Sequence, residues 1–155
     1  NALNRRAILE RLDEEIKKST RLKSPLSIAM LDIDRFKEIN DTYGHLVGDI
    51  VLTQSVTRIR HSLRPYDLVG RYGGDEFLLI FPNTTALDAF TICSRIHDSF
   101  IQNPLCAGEL ELPLTISVGV ASPDTAPYLA DDLIHHADDA LYKAKRGGRN
   151  QVQHF

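Results

Sequence analysis

The chain has only two cysteines, Cys93 and Cys106, and their spacing matches no metal or redox motif. That argues against a disulfide-stapled secreted scaffold and fits a reduced, cytoplasmic setting. The six histidines form no His-x-x-x-His pair, so no zinc is expected. No apolar run approaches the roughly 18 residues that a membrane helix needs. No signal peptide is visible. Internal repeats and low-complexity segments are missing as well. Charge of one sign is scarce: 18 Lys and Arg against 21 Asp and Glu leave a formal net charge of −3. A nucleic-acid-binding surface usually shows as a strong basic excess, so no nucleic-acid partner is expected. A nucleotide remains open, because it needs only a local cluster of cations.

What is present suits a globular domain. At 155 residues, 43% hydrophobic and 25% charged, residues 1–155 read as one domain with a real core. The chain runs straight from Asn1 into a helical pattern, as a domain cut from a longer multidomain protein would. Whether that parent is tethered to a membrane is left open.

Ile8, Leu9, Leu12 and Ile16 recur at helical spacing and predict a helix from about 4 to 22. Leu26 to Leu31 reads as a buried strand ending at Asp32, and Asp34 is placed to cap a short helix. Gly44 breaks that helix, and another follows over about 45–62. Residues 67–82 read as a hairpin and about 85–102 as a helix on which Cys93 is a buried thiol. Residues 104–113 read as a loop or small hairpin, and 114–121 as a strand. A last helix, marked by Leu133, Ala137, Leu141 and Ala144, stops at Gly147-Gly148. Gln151 to Phe155 fits an edge strand. Mixed helices and strands around a central hairpin predict an α+β sandwich with one mainly antiparallel sheet of about five strands, of the split βαβ kind.

The most informative stretch is Arg71-Tyr72-Gly73-Gly74-Asp75-Glu76-Phe77. Gly-Gly between two short apolar runs signals a hairpin, with glycine supplying positive φ. Two carboxylates follow beside exposed backbone, an arrangement that suits a divalent metal and phosphates. By itself it equally suits a tight turn with two solvated acids. Asp32 ends the first strand. If that strand neighbours the hairpin, Asp32 and Asp75 converge and can share Mg²⁺. The turn Ile33-Asp34-Arg35-Phe36-Lys37 offers free backbone N–H groups for phosphates. Lys37, Lys145 and Arg149 supply positive charge, although by themselves Lys145 and Arg149 read first as favourable cations at a helix C-terminus.

These blocks together resemble the GGDEF domain, the diguanylate cyclase family. The likeness runs through Asn4-Arg5-Arg6, Leu31-Asp32-Ile33-Asp34-Arg35-Phe36-Lys37, Ile39-Asn40-Asp41, Tyr43-Gly44-His45 and Gly48-Asp49. It continues through the 71–77 heptad, Thr115-Ile116-Ser117-Val118-Gly119-Val120-Ala121, Ala137-Asp138, Ala140-Leu141-Tyr142, Ala144-Lys145 and Gly148-Arg149-Asn150. The blocks keep family order from end to end. The resemblance implies a fold like the nucleotidyl cyclase and polymerase palm, and condensation of two GTP into cyclic di-GMP with release of two pyrophosphates. It implies a metal site at Asp32, Asp75 and the Ile33 carbonyl, for Mg²⁺ or Mn²⁺, with Glu76 as a second signature acid. Asn40 and Asp49 fall at the guanine-reading positions. Phe36, Lys37, Gly73, Gly74, Lys145 and Arg149 fall at the other substrate-binding positions. A symmetric product implies a transient two-fold homodimer.

Arg64-Pro65-Tyr66-Asp67 ends five residues short of Gly73. The bare Arg-x-x-Asp pattern is common and fits a surface pair. In the family that spacing marks an inhibitory site for the product, and Arg95 falls where another arginine of that site often lies. Arginine forks suit the guanine O6/N7 edge and phosphates. Two other readings stand beside the cyclase. One is a non-catalytic module that binds GTP or cyclic di-GMP and regulates a neighbour. The other is a cyclase with relaxed base choice, which an intact Asp49 argues against.

Overall fold

The computed structural model describes residues 2–123 and 128–155. The first helix, α1 (Arg5–Leu22), opens where the Asn4 side chain accepts the Ala7 N–H at 2.9 Å, and it closes at Lys23 in the left-handed region. β1 (Leu26–Ile33), α2 (Phe36–Tyr43) and α3 (His45–Ser62) follow. Gly44, at φ 84°, ends one helix and begins the next. A residue with a Cβ rarely adopts that angle, so the predicted break has a backbone cause. The hairpin strands are β2 (Leu68–Arg71) and β3 (Glu76–Pro82), and then comes α4 (Ala86–Gln102). The 104–113 segment forms a small hairpin, β4 (Leu105–Ala107) and β5 (Leu110–Leu112). β6 (Ile116–Ala121), α5 (Ala130–Arg146) and β7 (Val152–His154) complete the chain.

One five-stranded sheet runs in the order β2-β3-β1-β6-β7. All its pairs are antiparallel except β6 with β7. β1 is central, and every one of its residues is buried. Alternate side chains go to opposite faces of a strand. Ala29, Leu31 and Ile33 join the core under α3 and α4, whereas Ile28 and Met30 join the core under α1 and α5. Helices cover both faces, so a strand with no polar alternation is the expected sequence. Cys93 is fully buried among the first of these cores, and burial pushes its thiol well up from the ordinary range. Among the described residues no helix is long and apolar enough to cross a membrane.

Two local expectations are corrected. Asp34 does not cap α2. Arg35, at φ 57°, holds the cap position with no side-chain bond, while Asp34 accepts hydrogen bonds from Thr115, Ser117 and Asn150. Three donors arriving from distant segments outweigh one local cap. The Gly73-Gly74 turn, for its part, needs no positive φ. A Cβ built on Gly73 would lie 2.5 Å from Glu76 Oε2, so a larger residue there would push the Glu76 carboxylate aside.

Candidate active site

Antiparallel pairing sets Asp32 of β1 opposite Glu76 at the start of β3. The Ile33 N–H reaches the Asp75 carbonyl at 3.3 Å. The strand end and the hairpin tip therefore meet as the sequence predicts. Asp32 is buried, and its carboxylate accepts a hydrogen bond from Lys145 Nζ at 2.7 Å. Burial nevertheless raises its pKa to about 6, against the lowering effect of Lys145, and the charges of Asp75 and Glu76 push the same way as burial. Lys145 is thus engaged with a carboxylate inside the domain, which a cation idling at a helix end would not be. Arg149 lies beyond the end of α5, in a turn at φ 65°. The sequence-based reading placed it at the helix end itself.

Beside the hairpin tip is a cleft of about 440 Å³. Phe36, Lys37 and Asn40 of α2, Asp49 of α3, and Gly74 and Asp75 of the turn line it. Six of the candidate substrate and metal residues thus share one cavity. His45 and Arg71 line it too and were not singled out from sequence. Arg71 donates to the Gly74 carbonyl at 2.7 and 3.0 Å and to that of Gly73 at 3.3 Å, which fastens the signature turn. Its place inside the motif was the available signal. Gly48, beside Asp49 in the sequence block, has a steric role. A Cβ there would fall 1.9 Å from Asn40 Oδ1 and 3.3 Å from Phe36 Cζ, so bare backbone at Gly48 makes room for both side chains.

The donor set fits a hard divalent cation. Asp32 and Asp75 supply oxygen, Glu76 adds negative charge, and the buried Asp32 favours a positive partner. Among the described residues no three His, Cys, Asp or Glu side chains form a complete metal cage. Magnesium commonly takes one or two carboxylates and completes its shell with phosphate oxygens and water, so an all-protein cage is not required.

The Arg64–Asp67 segment folds as a turn in which Asp67 Oδ2 accepts the Arg64 N–H at 2.8 Å. Asp67 is buried and its Oδ1 has no hydrogen-bond partner. Burial raises its carboxyl, while the charges of Arg64 and Arg95 lower it, which puts all three groups in one neighbourhood. Arg64 and Asp67 line a separate cleft of about 300 Å³. Arg95 reaches the Ser62 carbonyl across the gap between α4 and α3.

Residues 1–151 match the family described as Diguanylate cyclase, GGDEF domain. The chain belongs to that family. Response regulator PleD of Caulobacter vibrioides is 40% identical over 151 residues, which is 96% of this chain and 33% of PleD. The chain spans about a third of the length of such curated relatives. Among solved structures, the active GGEEF domain of a diguanylate cyclase from Vibrio cholerae matches with a TM-score of 0.94 and 33% identity, covering 100% of this chain and 98% of that one. The GGDEF domain of DgcB from Caulobacter crescentus, in complex with c-di-GMP, matches with a TM-score of 0.93 and 33% identity, covering 99% and 89%. Diguanylate cyclases of the GGDEF family generally need a divalent metal.

Proposed function

We propose that this domain condenses two GTP into cyclic di-GMP and releases two pyrophosphates. The observation that carries the reading is the shared cleft, which Asn40 and Asp49 line together with Asp75 of the hairpin tip. Guanine offers an N1–H and N2–H₂ donor edge that a carboxylate accepts well, and an acceptor edge for an amide. Asp49 and Asn40 then select guanine over adenine, whose edge lacks that donor pair. Phe36 and Gly74 bound the space beside the base and ribose, and the small Gly73 and Gly74 let substrate approach the backbone. Lys37, Lys145 and Arg149 hold the triphosphate, and Lys145 exchanges its bond to Asp32 for phosphate oxygens. Asp32, Asp75 and the Ile33 carbonyl would hold Mg²⁺, with Mn²⁺ as a substitute. A metal held there would supply charge neutralisation at the phosphates and a lower cost of deprotonating the attacking 3′-OH. Glu76 adds a second acid at the same place.

Each domain supplies such a cleft for one GTP, and each 3′-OH must meet the α-phosphate held by another copy. A two-fold pair of domains satisfies both reactions at once. Purified protein with GTP and Mg²⁺ is expected to form cyclic di-GMP, and ATP alone to give nothing comparable. Separation of the nucleotides by chromatography checks this. If concentrated or artificially dimerised protein still makes no cyclic di-GMP, the domain is a binding module and the catalytic reading fails.

The same reading includes product inhibition at Arg64, Asp67 and Arg95. The unpartnered Asp67 Oδ1 beside two guanidinium groups supports it, since a guanine N–H edge and phosphate would satisfy both kinds of group. The site is separate from the catalytic cleft but leads through β2 into the signature turn, so inhibition should be non-competitive with GTP. Arg64→Ala is expected to raise the product concentration needed for half-inhibition by about tenfold or more, since a hydrogen bond to a charged group contributes roughly 1.5–3 kcal/mol. The initial rate should change little. Equal affinity of wild type and variant for cyclic di-GMP in calorimetry would reduce this segment to a surface turn.

A further inference from the structure

The end of β1 is tied to the end of α5 at two points. Asp32 takes the Lys145 ammonium, and two residues on, Asp34 takes the backbone beyond the helix. Asp34 is only 5% exposed. Its Oδ1 accepts from Ser117 Oγ at 2.7 Å. Its Oδ2 accepts from Thr115 Oγ1 at 2.7 Å and from the Asn150 N–H at 3.0 Å. That last donor belongs to Gly148-Arg149-Asn150, three successive residues at φ 112°, 65° and 48°. Glycine takes such angles freely and asparagine tolerates them, but arginine does so only where its surroundings impose them. The turn is held from two sides. His97 Nε2 lies 2.9 Å from Asn150 Oδ1, and Asp34 grips the Asn150 N–H from the sheet. The Arg149 N–H closes the arrangement on the Ala144 carbonyl at 3.0 Å.

We propose that Asp34 is a positioning residue for the substrate triphosphate: it fixes the left-handed turn that presents Arg149 by accepting the Asn150 N–H. The inference rests on the reading of Arg149 as a phosphate contact. The Asp34 carboxylate is occupied by its three protein donors and acts through the turn. The two carboxylate oxygens accept from the two hydroxyls and the amide together. An asparagine can keep the same geometry. Its oxygen takes the Asn150 and Thr115 donors, and its NH₂ donates to the Ser117 hydroxyl, whose proton rotates away. An alanine leaves a buried N–H and two hydroxyls without their acceptor and frees the turn.

The test measures binding with Mg²⁺ by calorimetry, using 3′-deoxy-GTP, which lacks the attacking hydroxyl, and 3′-deoxyguanosine, which lacks the phosphates. Arg149→Ala should weaken triphosphate binding by about 10–100-fold, from the loss of charge-assisted hydrogen bonds. Asp34→Ala should show the same loss within about threefold, leave nucleoside binding unchanged, and add nothing in the Arg149→Ala background. Asp34→Asn should restore triphosphate affinity to within about threefold of wild type. Should Asp34→Ala fail to fold, Asn150→Pro cuts the same link from the exposed turn, because it deletes the N–H and forbids the positive φ. It should match Arg149→Ala as well. Wild-type affinity in the variant that folds, additive losses in the double variant, or equal loss for the nucleoside would each overturn the inference. A wild-type protein that binds no 3′-deoxy-GTP, or an Arg149→Ala variant that binds it normally, would overturn the phosphate reading first and the inference with it.

Discussion

Replacing Asp75 with alanine should lower cyclic di-GMP formation by about 10²–10³ or more, the usual cost of removing one electrostatic contact to the reacting group. The fold should survive. Asp75 is half-buried at a turn, its carbonyl rather than its side chain meets the Ile33 N–H, and the core lies elsewhere. Burial is the main cause that holds Asp32 up at about 6, and the Asp75 charge adds to it. Removing that charge relieves like-charge repulsion, so the melting temperature should stay level or rise slightly. Asp75→Glu should keep much of the activity, because the active Vibrio cholerae domain carries GGEEF where this chain has Gly-Gly-Asp-Glu-Phe. Rates and melting curves for the three proteins check all of this. An alanine variant with most of its activity would remove Asp75 from the metal site. One that has lost both activity and cooperative melting would show a structural role instead.

The convergence of Asp32 and Asp75 was legible because it needed only strand adjacency, and the central hairpin already forced antiparallel pairing. The cleft that joins Asn40, Asp49 and the hairpin tip was legible only through the family likeness. No periodicity in α2 or α3 says which cavity those residues line. Asp34 departs from its local signal for a physical reason. An aspartate just before a helix is a strong local cap signal, while its real donors lie 81, 83 and 116 residues away. Local rules cannot weigh a competitor that arrives only after the sheet is assembled. The same holds for Gln54 and Arg58 on α3. Gln54 accepts the Cys106 N–H at 3.2 Å and donates back to its carbonyl. Arg58 donates to the Ser99 carbonyl at 3.3 Å and to that of Asn103, holding the C-terminal end of α4. As sequence, both are ordinary polar residues of an amphipathic helix. β7 was recognised as an edge strand, but its parallel pairing with β6 comes from α5 crossing between them.

Gly48→Ala is expected to act against its own local preference. In a helix interior, alanine is favoured over glycine by about 1 kcal/mol, so α3 alone should gain. The new Cβ would, however, stand 1.9 Å from Asn40 Oδ1, a separation real side chains do not show, and a tight 3.0 Å from Asn40 Cγ. Backbone movement is restrained, because the Gly48 N–H bonds the Gly44 carbonyl at 3.2 Å and the Gly44 N–H bonds that of Asn40 at 2.9 Å. The side chain of Asn40 must therefore swing away, and Phe36 Cζ, at 3.3 Å, must yield as well. If Asn40 reads guanine, a displacement of about 1 Å at the binding group can lower kcat/KM for GTP by about 10²-fold. The loss should fall mainly on KM, and discrimination against ATP should shrink with it. Thermal stability should fall little, because the strain is relieved toward the open cleft. Asn40→Ala should give a similar loss, and the double variant should lose no more than either single one, since both remove the same contact. Wild-type kcat/KM in Gly48→Ala would mean that the Asn40 amide adapts or does not touch the base. A loss confined to kcat would instead place the defect at the signature turn and leave base recognition to Asp49.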